Sequence, residues 1–234
     1  MLKISSAVSK GLVWLRSIPL KTWKYIALAF VVIIMPGLLF ASLADEVHEN
    51  ETLGFDSAVL KSVHNEASPM VDTAMKTLTE FGGPMLLPAI AVGLTIFLMY
   101  RRRFRHAFIV FISVGGASAL NIVLKSIFRR DRPQLWQWIV SENGTSFPSG
   151  HAMASSALAL SLIVILWNTK WRWLAVTLGL VYMLAIAFSR IYLGVHYPTD
   201  IIASWLVSVA WVSAVTWIAF GYSKNKNVTK QLRG

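Results

Sequence analysis

Cysteine is absent from all 234 residues. Its absence excludes disulfides, zinc–thiolate clusters and a thiolate nucleophile, and leaves the redox compartment undetermined. Charge is also scarce, with Asp, Glu, Lys and Arg at 14% of the chain and only 11 acidic residues against 22 basic ones. Metal-ligand spacings such as H-E-x-x-H are missing. The +11 balance comes without an aromatic-interleaved basic surface or a known nucleic-acid module, so nucleic acid is not expected as a partner. Apolar surface is what the chain has in quantity. Its 56% hydrophobic content, including ten tryptophans, belongs to the membrane class.

Apolar stretches of the ~17–25 residues needed to cross a bilayer recur six times, over 25–44, 83–100, 107–124, 151–167, 173–188 and 201–222. The expected fold is therefore all-α, a polytopic membrane helix bundle with six transmembrane helices. Gly115, Gly116, Ala117 and Ser118 in the third stretch, and Ala152, Ala154, Ser155, Ser156 and Ala157 in the fourth, predict close helix–helix contact. Trp23, Trp167, Trp171 and Trp173 sit where interfacial anchors sit.

Basic residues cluster in the first 24 positions, in Arg101–Arg105, at Lys170 and Arg172, and in the tail at Lys224, Lys226, Lys230 and Arg233. These clusters hold most of the Lys and Arg and none of the 11 acidic residues. By the positive-inside rule both termini are cytoplasmic, and the acidic loops lie outside. The chain divides into a basic N-terminal arm over 1–24, a six-span domain over 25–222 and a cytoplasmic tail over 223–234. Within the domain, 45–82 reads as a long polar extracellular loop in which Pro69 to Phe81 suits a short interfacial helix. Leu2, Val8, Leu12 and Leu15 among lysines suit a second interfacial helix in the arm, with a disordered arm as the alternative. The basic start and Ser42-Leu43-Ala44 before Asp45 mimic a secretory signal, but the apolar stretch exceeds the usual h-region. It is read as a retained anchor.

This sidedness brings three polar segments, each at the end of an apolar run, to the outer membrane face. They are KSIFRRDRP (Lys125 to Pro133), PSGH (Pro148 to His151) and SRIYLGVHYPTD (Ser189 to Asp200). In the second, Ser149 suits an N-cap and Gly150 lets backbone approach a ligand, while the following helix start offers free N–H groups to an anion. Ser149 as a plain cap is an equally good account of that tetrapeptide. In the third, Pro198 suits the first helical position, which puts His196 just before the helix and Asp200 in its first turn. Asp200 can turn back onto one imidazole nitrogen and leave the other free for attack. Alone, it is more readily an acid complementing the helix dipole. Lys125, Arg129, Arg130, Arg132 and Arg190 add up to five cations on one face. Balancing charge on phosphoryl oxygens calls for such a cluster.

The order K-x6-RP, PSGH, SR-x5-H-x3-D, present as Lys125…Arg132-Pro133, Pro148-Ser149-Gly150-His151 and Ser189-Arg190…His196…Asp200, resembles the three-part signature of the type 2 phosphatidic acid phosphatase (PAP2) superfamily. The resemblance covers mainly 124–200. It implies a lipid phosphate phosphatase in which His196 is a nucleophile forming a phosphohistidine, Asp200 orients it, and His151 is the general acid. It further implies a phosphate cradle of Lys125, Arg132, Ser149, Gly150 and Arg190, with no metal and no cofactor. Arg129 and Arg130 fall outside the signature and are left facing lipid headgroups. Implied substrates are phosphatidylglycerophosphate, undecaprenyl diphosphate, phosphatidate or diacylglycerol diphosphate in a bacterial-type plasma membrane, with membrane lipids as the other partner and no obligatory protein partner. Leu135, Trp136, Trp138 and Ile139 are placed at headgroup depth, either to guide the lipid or as interface anchors.

Three other classes compete. A vanadate-binding haloperoxidase shares the signature but is soluble. A transporter or scaffold that kept a phosphate site without hydrolysis is opposed by the intact His196 and Asp200. A metal hydrolase using His151, His196, Asp131 and Asp200 is opposed by the surrounding arginines.

Overall fold

The computed structural model describes residues 20–65 and 67–231, whose regular elements are helices with no strand among them. The expected helix in the N-terminal arm lies outside the described residues up to position 19. Helix α1 (Leu20–Ala29) runs through a π-helical stretch (Phe30–Ile34) into α2 (Met35–His48). Pro36 lacks the N–H that would bond the Val32 carbonyl, which accounts for the irregular stretch just before it. Then follow α3 (Leu53–His64), α4 (Pro69–Glu80), α5 (Leu86–Tyr100), α6 (Phe104–Phe128), α7 (Gly150–Leu166), α8 (Arg172–Tyr192) and α9 (Pro198–Gln231).

Among the described residues, four helical stretches are long and apolar enough to cross a membrane: Ile26–His48, Phe104–Phe128, Arg172–Tyr192 and Pro198–Phe220. Leu86–Tyr100 and Gly150–Leu166 are apolar but shorter. At 1.5 Å per residue the first of these is about 22 Å long against an apolar bilayer thickness of roughly 30 Å. Four of the observed helices overrun the expected apolar stretches because polar caps and flanking turns add helical residues that hydropathy does not count, whereas α5 starts three residues late and α7 is shifted by one.

Helix α7 is the hub, packed against α6, α8 and α9. Its Ala152, Ser155, Ser156, Ala157 and Ala159 are buried, and short side chains of this kind let neighbouring backbones approach. Ser204 donates to the Ser149 carbonyl at 3.0 Å and Ser208 to the Met153 carbonyl at 3.0 Å, so hydroxyls on α9 stitch it to α7. Large apolar side chains such as Leu38, Ile96, Phe111, Leu178 and Ile218 face outward and exposed, the inverse of a water-soluble core. The chain is a membrane protein.

The segment over 45–82 is more structured than a polar loop. Besides the expected α4 it carries α3, whose buried side includes Asp56 and Leu60. A charged residue on the inward stripe is what hides this helix from a hydrophobic-period reading. Both helices pack against α8, and α3 also touches α9.

Candidate active site

Helix α6 presents Lys125 in its last turn and stops at Arg129, which takes the left-handed conformation with φ of 47°. That reversal sends the following residues back over the end of the bundle. Lys125 Nζ donates to the Thr145 carbonyl in the same crossing loop. Arg132 is 7% exposed and fully engaged: Nε donates to Gly144 O at 3.1 Å, Nη1 to Val195 O at 2.9 Å, and Nη2 to Asn143 O at 3.1 Å.

The third segment folds as its local chemistry dictates. Pro198 opens α9, and Asp200 in the first turn accepts the Tyr197 N–H on Oδ2 at 2.9 Å. The same oxygen lies 3.2 Å from Nδ1 of His196, which is 1% exposed. Arg132 Nη1 is 3.2 Å from His196 Nε2. A guanidinium can only donate, so Nε2 holds the lone pair and Nδ1 the proton that Asp200 accepts. Burial, and then the charges of Arg190, Arg132 and Lys125, push His196 well below its ordinary value. At neutral pH it is an uncharged imidazole of fixed tautomer.

His196 lines a 580 Å³ cavity together with Lys125, Arg132, Glu142, Gly150 and His151 among others. Arg190, 1% exposed, donates to Thr79 Oγ1 at 2.9 Å and to Glu142 Oε1. Glu142 Oε2 accepts from Arg132 at 3.3 Å, so one carboxylate bridges two guanidiniums at the cavity wall. Burial alone would raise Glu142, but Arg190 and Arg132 outweigh it and hold the carboxyl below its ordinary value.

Five of the sequence-predicted residues, Lys125, Arg132, Gly150, His151 and His196, thus line one cavity. Arg190 stands behind Glu142, and Asp200 stands behind His196. Ser149 is wholly buried and its Oγ accepts the Ala152 N–H at 3.4 Å, so its hydroxyl caps α7. Gly150 has a packing reason to be glycine: a Cβ there would lie 3.0 Å from Asn121 Oδ1. Asn121 in turn donates to Pro148 O at 3.0 Å and holds the turn.

One expectation is corrected. Arg130 does not face headgroups; its side chain is 8% exposed and turned inward onto Asp56 and Asp200, at 2.7 Å each. Two buried carboxylates draw it in. Trp136 and Trp138 are half-buried and each has a partner within the protein. Trp136 stacks on His64 at 3.9 Å between ring centroids, over Gly194, whose φ of 71° and missing Cβ make room for the indole. Trp138 donates to Pro133 O at 2.7 Å.

Glu142 and Asp56 also escaped the sequence reading. Nothing local marks Asp56, whose partners are more than 70 positions away. Glu142 had one available signal, an acid isolated between two basic motifs.

Residues 106–224, just over half of the chain, match the PAP2 superfamily. The chain belongs to the PAP2 superfamily. An undecaprenyl-diphosphatase of Sulfolobus acidocaldarius is 28% identical over 169 residues, covering 70% of this chain and 77% of the relative. Phosphatidylglycerophosphatase B of Bacillus subtilis is 29% identical over 171 residues, 70% of this chain and 83% of that protein. The crystal structure of a transmembrane PAP2 type phosphatidylglycerolphosphate phosphatase from Bacillus subtilis superposes with a TM-score of 0.72 at 24% identity, covering 82% of this chain and 96% of that one. It shares the fold. The PAP2 match takes in all three motif segments, whereas α3 and α4, with Asp56 and Thr79, lie ahead of it.

Proposed function

We propose that this PAP2 protein is an integral-membrane lipid phosphate phosphatase that removes the terminal phosphate of phosphatidylglycerophosphate or undecaprenyl diphosphate through a phosphohistidine. The observation that carries the reading is the His196–Asp200 pair, with His196 lining one cavity beside Lys125, Arg132 and His151. The names of the relatives support the substrate class.

In the proposed first step the His196 Nε2 lone pair attacks phosphorus in line, and the bond from phosphorus to the leaving oxygen breaks. His151 supplies the proton that this oxygen takes up, and Nδ1–H stays on Asp200. In the second step His151 takes a proton from water as the water attacks the phosphohistidine, releasing phosphate and restoring His196. Arg132, Lys125 and Arg190 balance charge on the equatorial oxygens. Gly150 lets the backbone at the start of α7 approach the phosphate, and Ser149 contributes through the turn that it caps. The reaction needs no cofactor, and these cations stand where a metal would.

The six-span arrangement is part of the proposal, with α5 and α7 as the two short spans, both termini cytoplasmic and the cavity outside. Charge asymmetry supports it. Cysteines introduced singly at Ser141 and Asn168 of this cysteine-free chain test the orientation. Ser141→Cys should label in intact cells and Asn168→Cys only after permeabilisation, and the reverse pattern inverts the topology.

The function itself is tested by phosphate release from purified lipid phosphates in detergent. His196→Ala should abolish release and His151→Ala slow it by roughly 10²–10⁴, the usual contribution of general acid–base catalysis. Activity should survive excess EDTA, whereas loss on chelation and recovery with Mg²⁺ or Zn²⁺ would favour a metal hydrolase. Phosphate binding without release across the panel would favour a transporter or scaffold.

A further inference from the structure

Asp200 needs more than His196 to hold it. An aspartate carboxylate turns easily about its last torsion, and the contacts of His196 and the Tyr197 N–H both fall on Oδ2. Oδ1 is held by Arg130 Nη1 at 2.7 Å. Arginine is long and rich in rotamers, so a fixed guanidinium needs anchors of its own. Arg130 has four: Asp56 Oδ2 at 2.7 Å, Thr52 Oγ1 at 3.3 Å, Thr199 Oγ1 at 2.8 Å, and the Tyr197 ring, whose centroid is 4.0 Å from the guanidinium carbon. Asp56 is wholly buried and also accepts the Thr199 N–H at 3.1 Å and the Thr199 hydroxyl at 2.6 Å. A carboxylate from α3 thereby caps the start of α9, the helix that carries Asp200.

We propose that Arg130 and Asp56 are positioning residues, a clamp from α3 that fixes the Asp200 carboxylate and through it the angle of His196. The proposal rests on His196 being the nucleophile. It is distinct from phosphate binding. Arg132 and Glu142 line the same cavity as His196, whereas Arg130 lines a second, 360 Å³ pocket with Tyr197 and Phe128, and only Arg129 borders both. Charge reinforces the geometry. Two buried carboxylates share one guanidinium, so removing it leaves Asp200 both mobile and facing a like charge.

The experiment uses the full chain in detergent with a long-chain lipid phosphate. It compares Arg130→Gln, Arg130→Lys, Asp56→Asn and the double variant Asp56→Asn/Arg130→Gln, each checked for monodisperse elution and melting temperature. Arg130→Gln should lower kcat about 10–100-fold, the scale seen when a partner that orients a functional histidine is lost. KM should stay within about twofold, because the phosphate-facing cations are untouched. Arg130→Lys should recover part of kcat, since it keeps the charge but not the two-pronged fork. The double variant should lose less than the product of the single losses, as residues in one network do. A folded Arg130→Gln with wild-type kcat overturns the proposal, and so does a loss that appears in KM alone. If Arg130→Gln does not fold, kcat of Arg130→Lys and Asp56→Asn decides in the same sense, and wild-type values in both overturn it. His196→Ala, assayed beside them, separates the two claims. Full activity there overturns the phosphohistidine reading, whereas an inactive His196→Ala beside an unaffected Arg130→Gln overturns the clamp alone.

Discussion

Glu142 occupies the chemistry of a phosphate without being one: its two oxygens satisfy Arg132 and Arg190 at the cavity wall. A phosphate that takes those guanidiniums has to displace a carboxylate held by charge-assisted hydrogen bonds. Glu142→Gln keeps the shape and removes the charge. It should lower the inhibition constant for vanadate or inorganic phosphate by about 5–10-fold, the equivalent of roughly 1 kcal/mol of competition removed. Weaker anion binding in this variant would mean that Glu142 serves to hold the arginines in place. His196 gives a second prediction, for stability against pH. Its folded pKa lies well below the ordinary 6.5, through burial and neighbouring cations. The unfolded chain therefore takes up this proton first as pH falls past 6.5, and the stabilising contribution present above that pH declines below it. The melting temperature should drop on acidification from about pH 6.5, by up to ~1.4 kcal/mol of stability per pH unit from this one proton. His196→Asn should flatten that slope, and equal slopes in both proteins would show that His196 does not carry it.

At the scale of elements, the contact between α6 and α9 has one tight point. A Cβ on Gly116 would fall 2.2 Å from Trp211 Cζ2, while Trp211 Nε1 donates to the Ile112 carbonyl at 3.1 Å and cannot swing away without losing that bond. Gly116→Ala should destabilise the protein by about 1–3 kcal/mol, the usual penalty of overpacking, read as a lower melting temperature. Adding Trp211→Phe should recover part of it, and an unchanged melting temperature would show that the helices can separate freely. The small-residue run around Gly116 was legible in sequence because small residues in a span have one common use. The apolar helices were legible for a similar reason, since hydropathy reports the middle of a span well and its ends poorly. Lys125, Arg132, His151 and His196 were legible because their spacing carries a pattern. Helix α3 was not, because its inward side bears Asp56, and Arg130 was not, because its partners come from residues 52–56 and 197–200. Only the folded chain joins those segments.

At the scale of the molecule, the bundle sets a charged site against an apolar exterior. Ile122 makes the junction visible: it lines the cavity and yet is 71% exposed on the apolar outer side of α6. A substrate whose tail lies along that surface can bring its phosphate to Lys125, one turn further along the same helix, without leaving the bilayer. Binding energy from the tail then serves to position the phosphate for attack, so a truncated substrate should lose kcat as well as affinity. The expected kcat/KM for a long-chain lipid phosphate exceeds that for a water-soluble monoester by at least about 10²-fold. Ile122→Asp separates this effect from the chemistry, because it places a charge on the proposed tail path without touching His196 or the arginines. It should depress turnover of the long-chain substrate and leave the soluble monoester nearly unchanged. An equal loss for both would mean that Ile122 acts on the site itself, and equal efficiency of the wild type toward both would mean that the bundle takes no part in choosing the substrate.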